Sequence, residues 1–131
     1  AMQTAGASAA TDVTGYGLLG HLSEMLDASG AGAVIRLSDT PVHERAGKLA
    51  AEGVYPGGLK DNREYLGEGV RADGVSHEEL LPLFDTQTSG GLLISVPQSG
   101  LPPLLDALRA SGDAAAVIGE LTPGTGVTVT P

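Results

Sequence analysis

Residues 11–21 read Thr11-Asp12-Val13-Thr14-Gly15-Tyr16-Gly17-Leu18-Leu19-Gly20-His21, and how these glycines are taken decides the fold. Gly15, Gly17 and Gly20 satisfy G-x-G-x-x-G; a helical pattern follows, then a strand, then Asp39 at nearly the distance of a ribose-binding acid. That reading would make the chain a parallel dinucleotide-binding unit. It needs a buried strand directly before the first glycine, and Ala9-Ala10-Thr11-Asp12-Val13-Thr14 does not supply the β-branched aliphatic run such a strand requires. Asp12 would also turn a negative charge toward the pyrophosphate. The stretch therefore reads better as a loop with a carboxylate entering a helix. Either Asp12 reaches a hard cation while the glycines admit a second backbone or a ligand, or Asp12 or Thr14 caps the helix and the glycines serve packing. Local spacing leaves both open.

Outward from this loop, Leu18, Leu19, Leu22, Met25 and Leu26 line one face of a helix that ends near Ser29-Gly30. Ala33-Val34-Ile35-Arg36-Leu37 predicts a strand, and Ser38-Asp39-Thr40-Pro41 predicts the start of a helix over Val42–Glu52. Gly53 is placed to stop it. Tyr55-Pro56-Gly57-Gly58 then argues against regular structure, leaving a polar connector to Ser76 with a short extended piece around Val70. Ser76 with Glu79 three residues later forms a capping box for a short helix over His77–Phe84. Gly91–Val96 predicts a strand with one deeply buried face. Pro102-Pro103, the Leu104, Leu105 and Leu108 face and Gly112 predict a further helix. Ala115–Leu121 and Val127–Val129 are expected as closing strands. Helices interleaved with strands favour an α+β or α/β sandwich, one domain over residues 1–131.

Composition narrows the function. Lys plus Arg number 7 against 16 Asp plus Glu, a net charge of −9, which argues against nucleic acid or an anionic membrane as partner. Trp is absent and Phe occurs once, so platforms for stacking bases are lacking too. There is no Cys, hence no thiolate metal site and no cysteine nucleophile. No apolar run approaches the ~18 residues of a membrane span, and the N-terminus has no signal core, so a cytoplasmic location is expected. Ala1-Met2 fits either an initiator Met2 preceded by one added residue or a cut within a longer protein.

Two further segments could carry chemistry. Phe84-Asp85-Thr86-Gln87-Thr88-Ser89-Gly90-Gly91 could present backbone N–H groups to an anion, or be a tight entry into the next strand. Tyr55-Pro56-Gly57-Gly58 with Asn62 and Arg63 could touch phosphate, or be a structured loop. His21, His43 and His77 lack zinc-like spacing; His21 is expected to be a packed or hydrogen-bonded structural residue. Neither G-x-S-x-G nor a P-loop occurs, which disfavours a self-sufficient hydrolase or P-loop enzyme.

Taken together, residues Thr11 to His21, Pro56-Gly57-Gly58 with Asn62, and Asp85-Thr86-Gln87-Thr88-Ser89-Gly90-Gly91-Leu92-Leu93 resemble selenophosphate synthetase (selenide, water dikinase), through the closing Ile118-Gly119-Glu120-Leu121. The resemblance covers the C-terminal half of such an enzyme. It implies an α+β synthetase C-terminal-type domain, a mixed sheet with helices packed in layers. It also implies transfer of phosphate from ATP to selenide, giving selenophosphate, AMP and phosphate. Asp12 matches a magnesium ligand; no catalytic residue is implied within these 131 residues. Mg2+ and ATP are the implied cofactors, with ATP held mainly by an N-terminal ATP-binding domain outside this sequence. That domain and a second copy of the enzyme are the implied partners. Tyr16 stands where the family has Phe and Thr86 where it has Pro, the latter expected to loosen the turn before Gln87. A related ATP-dependent synthetase or kinase domain, or a non-catalytic module of the same fold, are the competing expectations.

Overall fold

Two sheets divide the strands; the first long helix packs on the larger one, and three more helices gather on the turn at Leu81–Phe84 beside it. The computed structural model describes residues 1–131. In chain order the elements are β1 (Ala9–Asp12), α1 (Gly17–Ser29), β2 (Ala31–Arg36), α2 (Glu44–Ala51), α3 (Gly57–Leu66), β3 (Val70–Ala72), α4 (His77–Leu80), β4 (Leu92–Ser95), α5 (Leu101–Ser111), β5 (Gly119–Pro123) and β6 (Gly126–Thr130). The four-stranded sheet runs β3-β6-β2-β5. In it β6 is parallel to both β3 and β2, and β5 is antiparallel to β2. β1 and β4 form a separate antiparallel pair. This is the mixed-sheet α+β architecture expected from the sequence.

The core follows from two periodicities. Ala33 and Ile35 on β2, with Val127 and Val129 on β6, alternate onto the same buried side. Against them α1 lays Leu19, Leu22 and Leu26, spaced three and four apart and all nearly fully buried. Each such leucine contributes roughly 1.5–3 kcal/mol by leaving water. Ala50 of α2, Leu59 of α3, Leu80 of α4 and Leu81, Leu83 and Phe84 of the 3-10 turn after it complete one cluster of 13 buried apolar residues. The helix signals at α1 and α5 are realised: Gly30 and Gly112 close them in the left-handed conformation. The capping box also forms, Ser76 Oγ accepting from the Glu79 N–H while Glu79 accepts from the Ser76 N–H.

Several expectations change. The Pro56-Gly57-Gly58 segment does not break structure but starts α3, with Pro56 at the N-cap and extended. The glycines occupy its first turn, where their N–H groups need no intrahelical acceptor. Residues Ser38 to Pro41 form a 3-10 turn and its exit rather than a helix start; α2 begins at Glu44, capped by His43 Nδ1 accepting from the Arg45 N–H. β4 is not deeply buried, and Leu92 is 63% exposed, because this strand pairs only with β1 and no helix covers that residue. The two closing strands form as expected, over Gly119–Pro123 and Gly126–Thr130, and the pairing that sequence order left open places β2 between them.

Candidate functional site

A strand does precede the first glycine, though a half-exposed one: β1 alternates between partly buried and exposed residues. It lies in a different sheet from β2, so no parallel βαβ unit exists across α1 and the dinucleotide reading has no structural basis. Asp12 ends β1 opposite Leu92, exposed, and no side chain or backbone group of the chain hydrogen-bonds its carboxylate. It does not cap α1, whose N-cap is Tyr16 with no side-chain cap bond.

Beyond Asp12 the backbone is stitched to the second motif. The Val13 N–H donates to Gly91 O (2.9 Å), and Val13 O accepts from the Gly90 N–H (3.1 Å). Thr14 O accepts from both the Gly17 N–H and the Gln87 N–H, each at 3.0 Å. Gly17 has φ 68°, and a Cβ there would lie 2.8 Å from Asp85 O, so both conformation and space demand glycine. Two N–H groups of the Asp85–Gly91 loop are thus spent on the Asp12 loop, while those of Thr88 and Ser89 take no acceptor from the chain.

Asn62 joins the third motif to the first two. Buried on α3, its Nδ2 donates to Gly15 O and to Phe84 O, both at 3.0 Å. Because both neighbours are carbonyls, the amide can face them only with its NH2 group. Beside it Gly58 packs under the Thr86 methyl, which a Cβ at position 58 would approach to 2.6 Å. The three segments singled out in the sequence therefore meet in one place. Arg63, by contrast, is exposed, with Nη1 2.6 Å from His77 Nε2.

His21 is buried under the loop, as expected of a structural histidine. Its Nε2 lies 3.1 Å from Thr14 Oγ1 and its Nδ1 3.2 Å from Glu24 Oε2, with the Tyr16 ring tilted across it at 5.5 Å. Asp85, which sequence reasoning treated only as part of an anion loop, has Oδ1 buried without a hydrogen-bond partner. Burial pushes its carboxyl pKa up, against a smaller lowering by the Thr86 backbone N–H. No three His, Asp or Glu side chains converge to hold a metal ion. The donor chemistry at Asp12, an exposed, unpartnered carboxylate at a strand end, is of the kind a hard cation takes, as one oxygen of several it would need.

The fold and this loop cluster define a mixed-sheet α+β domain in which the three glycine-bearing segments meet. The chain belongs to the family described as AIR synthase related protein, C-terminal domain, whose model matches residues 1–130. Among curated proteins it is similar to selenide, water dikinase of Carboxydothermus hydrogenoformans, 47% identical over 122 residues that cover 92% of this chain and 35% of that protein. It is also similar to selenide, water dikinase 2 of Peptoclostridium acidaminophilum, 42% identical over 108 residues covering 82% and 31%. The chain spans about a third of the length of these relatives. Among solved structures, AaThiL complexed with AMPPCP and TMP shares the fold, with a TM-score of 0.53 at 22% identity over 94% of this chain and 30% of that one.

Proposed function

We propose that this chain is the C-terminal domain of an ATP-dependent selenide, water dikinase, which makes selenophosphate, AMP and phosphate from selenide and ATP. The observation that carries the reading is the 42–47% identity to selenide, water dikinases over most of the chain. It is supported by the convergence of all three family-like motifs on the Asp12 loop. Asp12 is the magnesium ligand this domain contributes. Bound magnesium neutralises charge on a transferring phosphoryl group. The chain's own residues hold Asp12 outward: Val13 anchors the strand end to Gly90 and Gly91, and Asn62 fixes the loop that follows. ATP is held mainly by an N-terminal ATP-binding domain, the partner of this one, in a cytoplasmic homodimer.

One carboxylate cannot hold Mg-ATP. Isothermal titration of the 131-residue chain with Mg-ATP is expected to show weak binding or none, and tight binding would contradict this division of labour. In a polypeptide joining this domain to the N-terminal half of such an enzyme, Asp12→Asn should lower selenophosphate formation by about 10²-fold, on the order of 3 kcal/mol. Because Asp12 is exposed and unpartnered, its substitution should leave thermal unfolding unchanged within about 0.5 kcal/mol. Unchanged turnover would remove Asp12 from the site.

A further inference from the structure

Helices α1 and α3 pack against each other and leave a cavity of about 270 Å3 between them. Gly20 and Glu24 border it from α1, Asp61, Asn62 and Tyr65 from α3, and Tyr16 from the turn before α1. Gly20 with Glu24, and Asp61 with Tyr65, are i, i+4 pairs, so each helix turns one face to the cavity. Gly20 keeps the space open: it has no side chain, and a Cβ there would lie 2.6 Å from Tyr16 Cβ. The charge around the cavity is one-sided. Asp61 makes no ion pair within the chain, and Glu24 turns Oε2 to His21 Nδ1 but leaves Oε1 unpaired. The basic residues of α3 point elsewhere, Lys60 Nζ over the Tyr55 ring at 5.7 Å and Arg63 Nη1 to His77.

Asn62 independently marks a missing donor. It is more than nine-tenths buried, and its Nδ2 spends both hydrogens on Gly15 O and Phe84 O. Because the amide is planar, Oδ1 points away from those carbonyls, and no group of the chain donates to it. Nor is it sealed, since Asp85 Oδ1 is the one buried side-chain polar atom without a partner; Asn62 Oδ1 stays accessible where the residue borders the cavity. Two carboxylates and an amide oxygen therefore ask for hydrogen-bond donors, beside two exposed aromatic rings. A hard metal ion keeps its water and gains nothing from the rings. A guanidinium is planar, weakly hydrated, rich in donors and stacks on aromatic faces. We propose that the α1–α3 cavity receives an arginine side chain presented by a polypeptide partner. A free amino acid would bring its own carboxylate into this acidic setting, whereas a side chain within a polypeptide brings only the cation. Occupancy of this cavity is independent of any cation at Asp12.

The test follows backbone amide shifts of the 131-residue chain at low ionic strength, on addition of Nα-acetyl-L-arginine methylamide, which carries the guanidinium and no carboxylate. Shifts are expected to centre on residues 20, 24, 61, 62 and 65, with a Kd in the millimolar range. The capped lysine analogue should bind about fivefold more weakly. With the arginine probe, Asp61→Asn should weaken binding about fivefold, and Tyr65→Leu, which removes the ring but keeps apolar bulk, about threefold. Glu64→Gln removes the same charge from α3 outside the cavity and should bind like the parent. Asp61, Glu64 and Tyr65 are all exposed, so these variants keep the fold. Equal binding of the lysine analogue, an equal effect of Glu64→Gln and Asp61→Asn, or shifts centred elsewhere would reduce the effect to general attraction to a chain of net charge −9 and overturn the proposal. Free L-arginine bound as tightly as the capped form would overturn the polypeptide source.

Discussion

Replacing Asn62 by Ala should cost about 3 kcal/mol of folding free energy. Asn62 is 7% exposed, and its amide gives one hydrogen to Gly15 O and the other to Phe84 O. Each bond contributes about 1 kcal/mol net, and a buried carbonyl left without a donor costs about 1–3 kcal/mol. The two carbonyls differ. Gly15 is exposed, so water can take over there, whereas Phe84 is buried and its carbonyl stays unpaired. Adding the two lost bonds to a partial penalty at Phe84 gives the stated figure, a large share of the roughly 5–15 kcal/mol that holds a domain together. At this chain length it corresponds to a fall in Tm of about 10 °C. Urea unfolding followed by circular dichroism measures it, with exposed Glu64→Ala on the same helix as control, expected within about 0.5 kcal/mol. Asn62→Asp should be worse than Ala at neutral pH, because a carboxylate would face two carbonyl oxygens with nothing to donate, and should recover partly on acidification. A loss below about 1 kcal/mol for Asn62→Ala, or Asp tolerated as well as Ala, would refute the claim that this amide ties the three motifs together.

Gly90→Ala should destabilise by more than about 2 kcal/mol, since its Cβ would sit 2.2 Å from Val13 O, whereas Gly91→Ala meets nothing within 4 Å and should be close to neutral; equal thermal melts would refute this. Glu79 accepts from the Ser76 backbone N–H and then from its hydroxyl, which holds its carboxyl pKa below the usual value. The stability Glu79 adds is therefore full above the unfolded carboxylate pKa and lost as pH falls through its folded pKa, so the deficit of Glu79→Gln should shrink at acid pH in denaturant titrations. Asp85 has the opposite sign. Burial raises its pKa, the folded state binds more protons, and stability falls as pH rises from the unfolded to the folded value; Asp85→Asn should then be more stable than the parent at pH 7, with the gain fading on acidification.

Where the sequence read truly, the signal was local and repeated. The Leu19, Leu22 and Leu26 spacing named the buried face of α1, and Ser76 with Glu79 named a cap that forms between neighbours three residues apart. It misread α3 because Pro56, Gly57 and Gly58 are breakers only inside a helix, not at its first turn. The face of α3 was also disguised: Leu59, Asn62 and Leu66 keep helical spacing, but a polar residue sits at the centre of the stripe and looks like surface. Its partners, Gly15 O and Phe84 O, lie 47 and 22 residues away, beyond any local pattern. β4 shows the converse failure. Leu92, Leu93 and Ile94 look like a core strand, yet burial depends on what packs over a strand, and only β1 pairs with this one.

For this protein, then, the sequence by itself determined the buried face of α1, the glycine stops of α1 and α5 and the capping box of α4, and it singled out the carboxylate at Asp12, because each rests on residues within a turn or two of one another. Only the tertiary structure decided that β2 separates β5 from β6, that Asn62 is a clamp rather than a solvated side chain, and that His21 turns the Thr14 hydroxyl inward. Those facts are set by which distant backbone groups are left needing a hydrogen-bond partner once the core has closed, and no spacing along the chain encodes that.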